Sequence, residues 1–283
     1  PDGSTKSGSA IWSPNTSITD PKKVLQKLKL NLEKQGVEFL FNSLLINVEL
    51  SHKKLEIRSN FSYNNLQLEK TFINYGYLFN TAGLQSDKVA EKFGIGLNFK
   101  ILPFKGVYWE LDSNAPFEFK TNLYPVPDLN VPFLGVHITP SIGGKVYLGP
   151  TAIPAFGREN YNGFEKIEPL MTLNFFGDIA SQFLKNKDGF RKYTREQAFH
   201  GLKPFFVKSA KKLVPRLESH HLKSCKKVGI RPQLYDKQCG KLVQDFLIEN
   251  GKDETHVLNS ISPAFTASFA LADLIIQKSN FSI

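Results

Sequence analysis

The stretch that most restricts the fold is LFNTAGLQSDKVA, residues 78–90. An apolar run, Tyr75 to Phe79, reads as a buried strand and breaks abruptly into Asn80, Thr81, Ala82 and Gly83. A helix is expected straight after, from Ser86 and Asp87. Strand, small residues and helix start, in that order, let backbone come close to a phosphate or a ring because no side chain intervenes. The usual companion of such a turn is G-x-G-x-x-G, and the sequence contains none. GIGLNF at Gly94 to Phe99 has two glycines, lacks the third, and follows a helix rather than a strand.

Around this turn the patterning alternates between helix and strand. Asp20 and Pro21 are a helix cap and first position, Val24, Leu25, Leu28 and Leu32 recur at helical spacing, and Gly36 is the stop. VEFLF (37–41) and LLINVEL (44–50) read as strands, and KLEIRS with LQLEKTF as a small antiparallel flap. From about residue 99 the texture changes to strand-like pieces divided by Pro and Gly: FKILPFKGVYWELDS, KTNLYPVP, PFLGVHITP and GKVYLGP. Residues 165–185 and 193–216 are expected to be mostly helical. KKVGIRPQLYDKQCGKLVQDFLIE reads as strands around a turn at Lys237 to Gly240, and THVLNS as a short strand. SPAFTASFALADLIIQK closes the chain as a helix, apolar on nearly every side and so expected to be buried, with Ser262 as N-cap and Pro263 at its first position. These patterns define a mixed α/β (α+β) chain.

Composition narrows the function classes. The net charge of +10 is compatible with nucleic acid, anionic lipid or an anionic substrate. The lysines are scattered, however, and no RNA-recognition or zinc-finger spacing is present, so nucleic acid is not an expected partner. Two cysteines, Cys225 and Cys239, make no disulfide framework and point to a reducing compartment. No segment approaches the roughly 20 apolar residues of a membrane span. His220, His221 and Cys225 do not supply the four ligands of a closed zinc site, so no metal is expected.

Four elements carry candidate chemistry. The Ser262–Thr266 segment, read as a helix N-terminus, suits an anion, against the alternative of a capped core helix. In GIRPQ (229–233), Pro232 holds Arg231 extended, and its guanidinium suits a carboxylate as well as a surface ion pair. In GVHIT (135–139), His137 alternates with Val136 and Ile138, so it faces away from them and is available as a general base or simply as a hydrogen-bonded strand histidine. In PFKGVYW (103–109), Lys105 brings a cation beside Gly106 and Tyr108 brings a hydroxyl, unless Lys105 is a solvated side chain at a strand kink.

In this order, LFNTAGLQSDKVA, PFKGVYWEL, LYPVPDLNVPFLGVHITPSIGGKVYLGPTAIPAFGRENY, VGIRPQLYDKQCGKLVQDFLIE and HVLNSISPAFTASFA resemble the L-2-hydroxyglutarate dehydrogenase/oxidase group. That group belongs to the FAD-dependent oxidoreductases of the D-amino-acid-oxidase type. The resemblance covers nearly the whole chain, most specifically Leu123 to Tyr161. It implies a partial Rossmann-like FAD-binding domain in two pieces, 1–92 and 224–283, and a substrate-binding domain of mixed or antiparallel sheet, 93–223. It implies FAD as cofactor and a dicarboxylate substrate: the hydroxyl proton of L-2-hydroxyglutarate goes to a base, its C2 hydride to the flavin, and 2-oxoglutarate leaves.

Carried over residue by residue, the resemblance places Ala82, Gly83 and Leu45 against the FAD, with Ser262, Pro263, Ala264, Phe265 and Thr266 at its pyrimidine edge. It makes His137 the base, assisted by Tyr108, and Arg231, Lys105 and Thr139 the substrate-binding residues. The family commonly has arginine where Lys105 stands, and lysine keeps the charge while losing the bidentate fork. The family's N-terminal strand and G-x-G-x-x-G are missing from this sequence, which is therefore expected to be the C-terminal majority of a longer enzyme and to hold FAD weakly or not at all. An amine or amino-acid oxidase of the same superfamily and a catalytically inactive fragment or binding module stay open. So do the electron acceptor, quinone or oxygen, and a peripheral membrane association. The resemblance implies a mitochondrial location for a eukaryotic chain, and a cytoplasmic or inner-membrane one for a bacterial chain.

Overall fold

The leucines at helical spacing form the expected helix: α1 spans Pro21–Lys34. The computed structural model describes residues 10–59, 69–126, 135–185 and 201–282. α1 ends at Gly36, whose φ of 89° is open to glycine at little cost. Gly36 N–H bonds the carbonyl of Glu33 (3.1 Å), and Val37 N–H reaches back to Leu32 (3.1 Å). This double return closes the helix and turns the chain. It also corrects the reading of 37–41 as a strand. The alternation there produces a segment with no strand beside it among the described residues, in which Phe39 and Phe41 stack at 5.9 Å under Lys29.

The chain divides into two compact units. One comprises residues 22–102 and 232–283. It holds the three-stranded antiparallel flap β1 (Leu44–Glu49), β2 (Lys54–Ser59) and β3 (Glu69–Asn74), in that order. A second sheet joins β4 (Leu78–Asn80) in parallel to β12 (Glu254–Asn259), which pairs antiparallel with β11 (Leu247–Asn250). The strand expected at Tyr75 to Phe79 is shorter and shifted. It lies at the sheet edge, where Phe79 is 37% exposed and Asn80 is buried. Helix α2 (Ser86–Glu91) starts where expected, and Ala90 packs with Ile101, Leu234 and Leu258.

The other unit comprises residues 1–21 and 103–231. Its sheet is built from β5 (Phe99–Leu111), β6 (His137–Pro140), β7 (Val146–Gly149) and β9 (Leu222–Asp236), in the order β9-β5-β7-β6. A two-residue strand, β8 (Ile153–Pro154), also pairs with β5. The unit boundaries fall inside β5 and β9, and β10 (Lys241–Leu242) folds back on the far end of β9 after the expected turn. Helix α3 spans Pro169–Lys185, and α4 spans Lys203–Ala210. Phe206, Val207 and Ala210 of α4 pack on Ile138 and Leu148 in the core. Residues 193–200 of the expected second helix lie outside the described residues, as do 127–134 of the expected strands. Of KTNLYPVP, Leu123 makes a bridge to Ile138 and no longer strand forms among the described residues.

The closing helix is corrected in two respects. α5 spans Ser268–Lys278, so Ser262 and Pro263 are not its cap and first position. Residues 261–267 form successive turns instead, with Ala264 N–H bonded to Ile261 and Ala267 N–H to Pro263. The helix is also not buried all round. Leu271 and Ile275 face the core, while Phe269 is 70% exposed. No helix among the described residues is long and apolar enough to cross a membrane.

Candidate active site

Alternation along β6 buries Val136 and Ile138 beside α4 and turns His137 and Thr139 to the opposite face. In register, His137 lies across from Gly149 and Thr139 from Tyr147 on β7. Tyr147 pairs in turn with Glu110 on β5, and Tyr108 is two residues along on the same face. On β9, Lys223 bonds Glu110 and Lys227 lies over Tyr108, so residues 223, 225, 227, 229 and 231 share that face by alternation.

One sheet face thus carries His137, Thr139, Tyr147, Tyr108, Lys227 and Arg231. Tyr124 adds its ring at 5.0 Å from that of His137. Arg231 is close enough for its charge to act on both Tyr108 and His137.

Gly149 makes the contact between β5 and β7 here. A Cβ on it would stand 2.8 Å from the Tyr108 ring and 3.0 Å from the Val107 carbonyl, and its φ is 147°. Only glycine lets the Tyr108 ring lie this close to the strand opposite His137. Gly149→Ala is expected to destabilise the protein by about 1–3 kcal/mol, read by urea unfolding, from backbone strain alone. An unchanged midpoint would show that the backbone at 149 carries no strain for a residue with a Cβ.

The electrostatics suit a base and an anionic ligand. Burial lowers the His137 pKa; a hydrogen bond to the Gly135 carbonyl opposes this, and the charges of Arg231 and Lys227 add to the lowering. The imidazole is therefore neutral near pH 7. The Gly135 carbonyl can only accept, so Nδ1 at 3.2 Å carries the proton and Nε2 keeps its lone pair. Burial raises the Tyr108 pKa, with Arg231 opposing, so its hydroxyl stays protonated and can donate. Glu110, the acid on this face, is engaged by Lys145 at 3.0 Å and Lys223 at 3.3 Å. Lys227 and Arg231 bring positive charge to the same face, close enough to act on His137.

Lys105 is not brought to this group. It lies three residues from Tyr108 in one extended strand, which puts it on the other face. It is 8% exposed, and its Nζ donates to Asn160 Oδ1 at 2.7 Å. The Asn160 amide in turn bonds the carbonyls of Gly163 and Glu165. Lys105 thus stands in an internal network that holds the 156–168 loop, and burial lowers its pKa.

The residues proposed to meet a flavin all lie in the other unit. The LFNTAG turn is held by Asn80, whose amide donates to the Ser86 carbonyl (2.8 Å) and to His256 Nδ1 (3.0 Å), and whose Oδ1 accepts the Ala82 N–H (3.2 Å). Gly83 has φ 55°, and no atom lies within 4 Å of where its Cβ would be. The backbone there is open to an approaching group. Ser262 to Thr266 offer turn backbone and Phe265, which is 45% exposed, rather than a helix N-terminus. Leu45 is half-buried in β1, opposite Ile57. Sequence reasoning missed Tyr124, Tyr147, Gly149 and Lys227 as members of the face. Counting back from Arg231 in steps of two would have reached Lys227.

The fold is shared with a known flavoprotein. L-alpha-glycerophosphate oxidase from Mycoplasma pneumoniae, solved with FAD bound, superposes with a TM-score of 0.56 at 17% identity, over 91% of this chain and 55% of that one. The family model for FAD dependent oxidoreductases matches residues 1–278, and the chain belongs to that family. It is 32% identical to the mitochondrial L-2-hydroxyglutarate dehydrogenase of Caenorhabditis briggsae over 286 residues, and 32% identical to the L-2-hydroxyglutarate dehydrogenase of Indibacter alkaliphilus over 275. The human mitochondrial enzyme of the same name is 30% identical over 286 residues. Each match covers 95% of this chain but 62%, 64% and 59% of the respective relative.

Proposed function

We propose that this chain oxidises L-2-hydroxyglutarate to 2-oxoglutarate in an FAD-dependent dehydrogenase or oxidase. The observation that carries the reading is the neutral His137 on one sheet face with Tyr108 and Arg231, in a chain whose curated relatives bear that activity in their names. Arg231 holds a substrate carboxylate. His137 Nε2 takes the proton from the C2 hydroxyl, and Tyr108 and Thr139 orient that hydroxyl with their own. FAD, when bound, supplies the acceptor for the hydride that leaves C2. Asn80 fixes the turn at Ala82 and Gly83 that receives the cofactor, with Leu45 and residues 262–266 as further surface. Lys105 supports the 156–168 loop and acts on substrate at most indirectly. The compartment follows lineage, mitochondrial as in the animal relatives or, for a bacterial chain, cytoplasmic or at the inner membrane.

The test is anaerobic bleaching of the flavin band at about 450 nm with FAD in excess. L-2-Hydroxyglutarate is expected to bleach it and amino acids to leave it unchanged. Bleaching by amino acids alone would assign the sister chemistry, and bleaching by neither would mark an inactive module.

A further inference from the structure

Lys227 is a cation of that face to which the reaction above gives no role. Its Nζ lies 4.7 Å from the Tyr108 ring centre and 4.4 Å from that of Tyr147. Two rings from the adjacent strands β5 and β7 hold the ammonium in place. The other lysines on this part of the sheet, Lys145 and Lys223, are both ion-paired to Glu110. Among the described residues, no carboxylate lies within ion-pair distance of Lys227. The side chain still reaches solvent, so a ligand can approach it.

Its position relative to the other site groups is equally specific. Lys227 and Arg231 are four residues apart on one strand and point to one face, and both charges act on His137. A diacid laid along the strand meets one cation at each end, with its hydroxyl-bearing carbon between them.

We propose that Lys227, cradled by Tyr108 and Tyr147, binds the second carboxylate of the substrate and so selects five-carbon 2-hydroxy diacids over 2-hydroxy monoacids. This rests on the reading of the face as a 2-hydroxy-acid site. Arg231 then serves the carboxylate beside the reacting carbon and is shared by both classes of acid. Lys227 is a specificity residue, because a monoacid has nothing to offer it.

The test is calorimetric titration of the full chain with L-2-hydroxyglutarate and with L-2-hydroxyvalerate, which has the same carbon chain without the distal carboxylate. Wild type is expected to prefer the diacid. Lys227→Met keeps the stem over the rings and removes the charge. It is expected to weaken the diacid by roughly 10- to 100-fold, the range for a charge-assisted hydrogen bond, and to leave the monoacid unchanged. Lys227→Arg is expected to restore most of the preference. An unchanged diacid affinity, or an equal loss for both acids, would overturn the role of Lys227 while the wild-type preference kept the substrate reading. A wild-type chain that binds the two acids alike, or neither, would overturn the substrate reading and the role of Lys227 with it.

Discussion

His137→Gln is expected to slow anaerobic flavin reduction by L-2-hydroxyglutarate by roughly 10²- to 10⁴-fold, the usual contribution of a positioned general base. Glutamine preserves a polar planar group beside Tyr124 but has no basic lone pair near neutral pH. Diacid affinity is expected to stay within a small factor, since Arg231 and Lys227 are untouched. The pH profile carries a second signature. Turnover needs the neutral imidazole, so the rate rises as the proton leaves. Burial and the two cations set that rise below the ordinary histidine value. Lys227→Met removes one of the cations and is expected to move the rise upward. A glutamine variant that turns over as fast as wild type would remove His137 from the chemistry.

The second large effect is on stability and centres on His256. This residue is fully buried in β12, packs edge-on against Phe93 at 4.9 Å, and accepts the Asn80 amide at Nδ1. Burial lowers its pKa from 6.5 to about 4. Because the folded value is the lower one, the unfolded chain takes up the proton first as pH falls. The stabilisation is complete above pH 6.5 and is lost on the way down to about pH 4, a loss of about 3 kcal/mol at 1.36 kcal/mol per unit. His256→Phe keeps the packing and removes the titration. Urea unfolding midpoints measured across that range should fall more steeply for wild type than for the variant. Parallel curves would exclude His256 as the source. The same proton would release Asn80, so acid should loosen the turn at Ala82 and Gly83 first.

How much of this was legible in the sequence depended on the range of the interaction. The LFNTAG turn and the start of α2 were readable because small residues and a helix start act locally. The role of Asn80 was not, since its partner His256 is 176 residues away. The facing of His137 followed from period-two alternation, and the structure places Val136 and Ile138 in the core as that alternation requires. The same alternation misled at 37–41, where an extended segment found no strand to pair with. Ser262 and Pro263 misled because a serine before a proline suits a turn as well as a helix start. For Lys105, the motif offered a cation beside a glycine, and its burial against Asn160 depends on a loop 55 residues away.

Glu110 sits on the middle strand of β9-β5-β7 and grips a lysine on either side. Glu110 is buried and only its two lysines reach solvent. The value of the two contacts is as a ruler. A slip of one residue in either pairing would swing Glu110 to the other face and separate it from a lysine. The arrangement rejects misaligned sheets, and Tyr108, two residues along, takes its place opposite Gly149 from the same alignment. Charge reversal at Glu110 would therefore set three cations together at a buried position and be felt both as a misassembled site and as a weaker protein.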